Sequence, residues 1–188
     1  MFFLIVLLIL LVIYVLRKFS NYPKIHYHRM TRDDVEEIHS IEMSAYNTND
    51  EVPGKFFKHN LIRDCPELCM VAKDEKGKII GAMYSGLMDG PSISMDKINK
   101  GHNPDGDTLF VYSLCVINDM MGRGIGKEIA NYYYHEWLDY GDRIKYASTS
   151  VRSRHIDWMK KLGFSYVGVS DINAGNERWF DVMKKIKQ

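Results

Sequence analysis

An apolar strand that runs into three closely spaced glycines, and from them directly into a helix, constrains this chain more than any other feature. The stretch is Tyr112 to Lys127. It reads Leu114-Cys115-Val116, then Asn118-Asp119, then Met121-Gly122-Arg123-Gly124-Ile125-Gly126. Glycine lets the backbone take conformations closed to other residues and lets a ligand approach closely. The first turn of a helix leaves its N–H groups unpaired, at the positive end of the helix dipole. A buried strand feeding such a turn predicts a cradle for a pyrophosphate. Spacing then narrows the ligand. A nucleotide P-loop needs Gly-x4-Gly-Lys-Ser/Thr, yet Glu128 follows Gly126-Lys127 and Met121 stands where the first Gly belongs. A dinucleotide fingerprint needs Gly-x-Gly-x-x-Gly in the first strand–helix unit, and here Gly-x-Gly-x-Gly lies past mid-chain. Coenzyme A is the third ligand that such a cradle serves.

The rest of the chain reads as further strands and helices. Lys24–Arg29 alternates like a strand, and Thr31 can cap a helix over Arg32–Ala45, with Val35, Ile38 and Ile41 at helical spacing. A second helix is predicted over Lys55–Arg63. The strands Leu68–Lys73 and Ile79–Met88 follow, joined by a turn at Asp74–Lys78. Asp89–Asp107, rich in Gly and Pro, reads as one long irregular loop. Leu109–Ile117 is a strand. Gly124–Tyr140 is a helix with Ile125, Ile129, Tyr133, Trp137 and Tyr140 on one face, and Gly141 stops it. A strand over Lys145–Ser150, a helix over Arg152–Lys161, and strands over Phe164–Val169 and Arg178–Ile186 complete the order. Strand–helix–strand units in mixed order predict a three-layer α/β fold.

Composition separates a leader from this domain. The chain has 188 residues, yet all 25 Lys and Arg and all 24 Asp and Glu follow Leu16. Phe2–Leu16, almost all Phe, Leu, Ile or Val, makes a helix ~22 Å long, short for a bilayer core but extendable through Phe19. Arg17 and Lys18 can snorkel to the headgroups. The expectation is a transmembrane anchor over residues 1–19, a linker over 20–23 and one domain over 24–188. A cleaved signal peptide and a core helix are the other readings of the leader. Arg17, Lys18, Lys24 and Arg29 all follow the apolar run, so a spanning leader leaves the domain in the cytosol. The net charge of +1 argues against a nucleic-acid binder, and 12% aromatic residues argue against disorder. The cysteines are Cys65, Cys69 and Cys115, an odd number without a Cys-x-x-Cys pair, so neither a disulfide scaffold nor a metal site is expected.

The glycine motif resembles that of the GNAT-type N-acetyltransferases, Arg/Gln-x-x-Gly-x-Gly/Ala after a strand. The family's later Leu-Gly-Phe, closing a helix, stands here as Leu162-Gly163-Phe164. The likeness runs over roughly residues 24–186. It implies a mixed, twisted sheet flanked by helices and preceded by the hydrophobic leader helix, with acetyl-CoA as co-substrate and no metal. Coenzyme A would then be held by Leu114, Cys115, Val116, Met121, Gly122, Arg123, Gly124, Ile125, Gly126 and Lys127. Within that family the chain is most similar to the arylalkylamine, serotonin-acetylating group. Cys65-Pro66-Glu67-Leu68 matches a Cys-Pro-Glu-Leu there. Gly86-Leu87-Met88-Asp89 resembles Ser-Leu-Trp-Asp, and His102-Asn103-Pro104-Asp105-Gly106 resembles His-Arg-Pro-Gly-Gly. In that group a Phe and a Pro of the first loop sandwich the aromatic amine. The similar places here are Tyr46 and Pro53.

The chain also departs from the pattern. Met121 replaces the family's Arg/Gln. Phe110 and Tyr112 stand where the serotonin enzymes carry two His that relay the amine proton, and Met159 aligns with the Tyr that protonates the departing thiolate. Of these only Tyr112 can move a proton, so it is the candidate catalytic residue. His102 and His155 are possible ends of a water chain, each with the plainer reading of a solvated loop residue. The expected activity is acetyl transfer to a primary amine, with a small arylalkylamine as acceptor. A protein lysine, a peptide amino terminus or a polyamine is the alternative acceptor, and a membrane-anchored coenzyme A-binding module is the non-enzymatic alternative.

Overall fold

A computed structural model describes residues 23–46, 52–138, 143–172 and 174–186, with Trp137 in backbone only. The predicted anchor, Asn47–Glu51 of the first loop, and the Tyr140-Gly141 helix end lie outside the described residues.

Seven strands form one mixed sheet. They are β1 (His26–Arg29), β2 (Cys69–Lys73), β3 (Ile79–Met88), β4 (Thr108–Val116), β5 (Tyr146–Arg152), β6 (Ser165–Val169) and β7 (Trp179–Lys185). Their spatial order is β1-β2-β3-β4-β5-β7-β6. Only β4 and β5 run parallel; the other neighbours are antiparallel. All ten residues of β3 are buried, as befits a central strand covered on both faces.

Helices supply that cover. On one face lie α1 (Val35–Ala45) and α2 (Lys55–Asp64). The Tyr84 side chain meets α1 there through Glu42. Residue 81 lies three places earlier on the strand and faces the other way. There α4 (Ile125–Tyr132) sets Ile129 against Gly81. A further helix, α5 (Ile156–Lys161), packs on β6 and β7, and the Phe164 ring that follows it lies 6.1 Å from Tyr134, just beyond α4. The expected three-layer α/β architecture is therefore present.

Two elements differ from expectation. The loop after β3 contains a short helix, α3 (Met95–Lys100), capped by Ser94, whose hydroxyl accepts the Lys97 N–H at 3.4 Å. Six residues between Gly90-Pro91 and Gly101 are too few to show helical periodicity. The long helix also changes character. Ile125, Ile129 and Tyr133 are buried as expected, but Tyr133–Trp137 widens into a π-helical turn, with Leu138 N–H bonded to Tyr133 O at 3.1 Å. The Tyr133 hydroxyl donates to Leu68 O at 2.9 Å and lies 3.0 Å from Ser85 Oγ, which ties this turn to the sheet.

Candidate active site

The parallel pair β4/β5 is joined over three residues only: Thr108, Leu109 and Phe110 face Tyr146, Ala147 and Ser148. The Thr149 hydroxyl still reaches Val111 O at 2.9 Å. Beyond that point the strands part, although β4 continues to Val116 and β5 to Arg152. The β4 register shows which backbone groups face the gap. Ile117 N–H bonds Ile80 O, so Cys115 and Ser113, at two-residue steps, also spend their N–H and C=O on β3. Leu114 and Val116 direct theirs to the open side. A carbonyl lying in the gap would find its donor in the Leu114 N–H. The Cys115 backbone is turned away, and burial pushes the Cys115 thiol up, which leaves it a packing residue.

A β-bulge sets the side chains of this segment. Tyr84 pairs with Ser113 and Ser85 with Val111, leaving Tyr112 as the extra residue. The bulge turns both Tyr112 and Ser113 toward the α1/α2 face. Tyr112 then lies edge-on to Phe57 of α2 (ring centroids 4.7 Å apart) and to Phe110 (5.0 Å). Its ring also covers Gly86, where a Cβ would come 3.0 Å from Tyr112 Cε2. The Tyr112 hydroxyl is buried and has no hydrogen-bond partner among the described residues. Burial pushes its pKa well above 10, so the phenol keeps its proton and can act as a donor, not as a base.

His102 flanks the same glycine from the other side, its Cα 3.6 Å from that Cβ position. Leu87 N–H donates to His102 Nδ1 at 3.1 Å, so the ring proton sits on Nε2. Burial lowers the His102 pKa and favours this neutral form. Tyr112 and His102 are thus brought to one place. His155 is not: it follows β5 and accepts from Arg154 Nε at 3.3 Å. Met159 is buried in the core and carries no proton to give.

Tyr46 ends α1 with its hydroxyl against β4, 3.3 Å from Ser113 Oγ and donating to Leu114 O at 3.4 Å. Burial raises its pKa too, again to a permanently neutral phenol. Pro53 stands at the entry to α2, half-buried, and its carbonyl accepts from Lys58 Nζ. Lys58 and Glu42 form an ion pair at 2.7 Å with both side chains fully buried. Glu42 Oε1 also accepts the Tyr84 hydroxyl at 2.6 Å, and burial, then the Glu42 charge, push the Tyr84 pKa up. Sequence reasoning missed this network. Its one legible signal is a charge, Glu42, set beside Ile38 and Ile41 on the apolar stripe of α1.

The far arm of the gap is polar. Ser148 pairs with Phe110, so Ser148, Ser150 and Arg152 share the α1/α2 face. Ser150 Oγ donates to Asp181 Oδ1 at 2.5 Å, and Arg152 pairs with Glu177 at 3.0 Å over the Trp179 ring.

At the open end of β4 lies the glycine turn. Gly122 and Gly124 adopt φ of 71° and 89°, which other residues rarely take, and an added Cβ at either would meet nothing within 4 Å. Met121 N–H bonds Asn118 O at 3.1 Å, and the first bond of α4 is Glu128 N–H to Gly124 O at 3.1 Å. Between them the N–H groups of Gly122, Arg123, Gly124, Ile125, Gly126 and Lys127 have no backbone partner among the described residues. Arg123 and Lys127 are exposed beside them, and Met121 is 44% exposed. Such a set of donors fits a diphosphate, and the turn needs no side chain from Met121 to do so. Among the described residues no group of three or more His, Cys, Asp or Glu is placed to hold a metal ion.

The family described as "Acetyltransferase (GNAT) family" matches residues 33–164. No curated protein matches the sequence. Solved structures do match in fold. The loading GNATL domain of CurA from Lyngbya majuscula superposes with a TM-score of 0.74 at 11% identity, covering 86% of this chain and 98% of that one. The GphF GNAT-like decarboxylase, in complex with isobutyryl-CoA, gives 0.68 at 14% identity over 87% of this chain and 100% of its own. Diaminobutyrate acetyltransferase EctA from Paenibacillus lautus, in complex with L-2,4-diaminobutyric acid and coenzyme A, gives 0.60 at 15% identity over 89% and 98%. At these identities the likeness is one of fold.

Proposed function

The chain belongs to the acetyltransferase (GNAT) family, and on that premise we propose that it transfers the acetyl group of acetyl-CoA to a small arylalkylamine. The observation that carries this reading is the gap between β4 and β5. N–H groups without a backbone partner among the described residues, and glycines, lie at its mouth, and Phe57, Phe110 and Tyr112 form an aromatic cluster on its acceptor side. An indole or phenol packs well against such rings.

In this reading residues 122–127 hold the diphosphate, and Leu114 and Val116 line the arm beside the pantetheine, with Cys115 packed behind them. The thioester supplies the acetyl group. Leu114 N–H polarises its carbonyl oxygen. The amine nitrogen forms the new bond to the carbonyl carbon in its neutral form, since an ammonium has no lone pair. As the carbon–sulfur bond breaks, the Tyr112 hydroxyl donates its proton to the sulfur. The His102 imidazole, neutral at pH 7, serves the acceptor side, from which water carries the amine proton back to the Tyr112 oxygen, so that the phenol is restored and no net proton is released. Tyr46 and Pro53 flank the entrance for the acceptor ring. Much of the rate comes from holding amine and thioester together, worth up to ~7–11 kcal/mol in ideal cases.

The proposal includes the tether. Among the described residues no helix is long and apolar enough to cross a membrane. The support is the charge-free run Met1–Leu16 and the basic residues after it; a leader that spans with this flank would leave the domain on the cytosolic side with its acetyl-CoA.

Incubating the protein with acetyl-CoA and tryptamine tests the reading, with release of free thiol as the signal. Preference for a peptide amino terminus, a protein lysine or a polyamine would move the acceptor assignment and leave the transfer chemistry. Acetyl-CoA binding without transfer to any of these acceptors would reduce the protein to a binding module.

A further inference from the structure

We propose that Lys58 is a positioning residue for the acceptor: from a buried ion pair with Glu42 it holds the Pro53 carbonyl and so fixes Pro53, beside which the amine enters. The inference rests on the acceptor side assigned above.

Four contacts carry it. Lys58 Nζ pairs with Glu42 Oε2 at 2.7 Å, lies 3.3 Å from His39 Nδ1, donates to Pro53 O, and stands 5.7 Å from the centre of the Tyr84 ring. A lysine ammonium has three N–H donors; here the Pro53 carbonyl and the His39 imidazole nitrogen accept two, and the Glu42 carboxylate stands at ion-pair distance. His39 suits that role, because burial and then the Lys58 charge lower its pKa and keep it unprotonated at neutral pH. Two of the three partners, Glu42 and His39, belong to α1, and the third, Pro53, stands just before α2. The ammonium therefore clamps Pro53, just before α2, to the helix that ends in Tyr46.

Stability alone does not account for such an arrangement. Replacing a buried ion pair by apolar residues of similar volume is often neutral or stabilising. A buried charge pair that also bonds the Pro53 carbonyl sets a position. Once Glu42 fixes the ammonium, Pro53 O has one place to go.

The test uses the full-length protein. Changing Glu42→Leu together with Lys58→Met removes both charges and leaves no buried ion unpaired. We expect a thermal midpoint close to that of the unaltered protein and an unchanged KM for acetyl-CoA. The KM for tryptamine rises about tenfold or more, as for loss of a hydrogen bond to a charged group. Amide exchange over residues 52–58 speeds up while that of β3 does not. An unchanged tryptamine KM, or equal shifts in both KM values, overturns the proposal. If the double variant does not fold, His39→Leu decides, since His39 is half-exposed and tolerates change. A selective rise in tryptamine KM there supports the clamp, and none overturns it. If the unaltered protein transfers no acetyl group, the proposed function fails on its own. The clamp is then read by exchange over residues 52–58, and unchanged exchange in the variant overturns it.

Discussion

In the proposed reaction Tyr112 is the residue that bears most on the chemistry. Its hydroxyl is buried, unpartnered among the described residues and held neutral. A proton donor of this kind contributes ~10²–10⁴-fold. Tyr112→Phe is therefore expected to lower kcat by at least about 10²-fold while the KM for acetyl-CoA stays constant; an unchanged kcat would remove Tyr112 from the reaction. Gly86 acts through the same ring. In Gly86→Ala the new Cβ lies 3.0 Å from Tyr112 Cε2, so the ring must move. The ring need give by only a few tenths of an ångström, and since a ~1 Å misplacement can cost ~10²-fold, single-turnover measurements with bound acetyl-CoA are expected to show a loss well below ~10²-fold. Tyr112 is named at the level of sequence only through the resemblance, as the one of the two relay positions that can carry a proton. Its surroundings are not legible there. One extra residue on β4, invisible in the pattern, puts Tyr112 and Ser113 on the same face. Strict alternation sends Ser113 to the other.

At the scale of the element, the strand–turn–helix unit from β4 to α4 is the part the sequence announced best. Glycines, a buried strand and the Ile125/Ile129/Tyr133 stripe all report local requirements, so each survives without knowledge of the fold. The π-turn at Tyr133–Trp137 does not, because its cause is tertiary: the Tyr133 hydroxyl seeks Leu68 O and Ser85 Oγ across the sheet. Tyr133→Phe leaves those partners buried and unmet, and is expected to cost about 1–3 kcal/mol in urea unfolding. A loss well under that range would show the turn to be held by something else. Gly124 is the test of the cradle. An aspartate there must adopt φ near 89° and sets a negative charge at the start of α4, against the diphosphate. Titration calorimetry is expected to show acetyl-CoA binding to Gly124→Asp weakened at least about tenfold. Unchanged affinity would refute the cradle assignment. The ion pair between α1 and α2 marks the limit of such reading, since Glu42 and Lys58 meet only once the two helices pack.

For the whole molecule, three histidines set the response to acid. Burial lowers the pKa of His39, His102 and His155, so below the ordinary value of about 6.5 the unfolded chain binds more protons than the folded one. Stability then falls as pH drops through that value, and these groups leave it unchanged between pH 7 and 8.5. Thermal melts across pH 5 to 8.5 would show the decline on the acid side; a midpoint that rises on acidification contradicts the assignment. The seven-strand architecture followed from the order of the elements. The parting of β4 and β5 after three pairs did not, because it depends on how a sheet of this order divides its hydrogen bonds. The leader belongs to this scale as well. Removing residues 1–23 is expected to free the protein from the membrane fraction without changing its turnover. The most direct measurement is the reaction itself: full-length protein, acetyl-CoA and tryptamine, followed by free thiol and by acetylated amine in equal amounts. Equimolar release, lost in Gly124→Asp and slowed in Tyr112→Phe, is the predicted result. Thiol release without acetylated amine, or no turnover on aryl, polyamine or peptide amines, would contradict it.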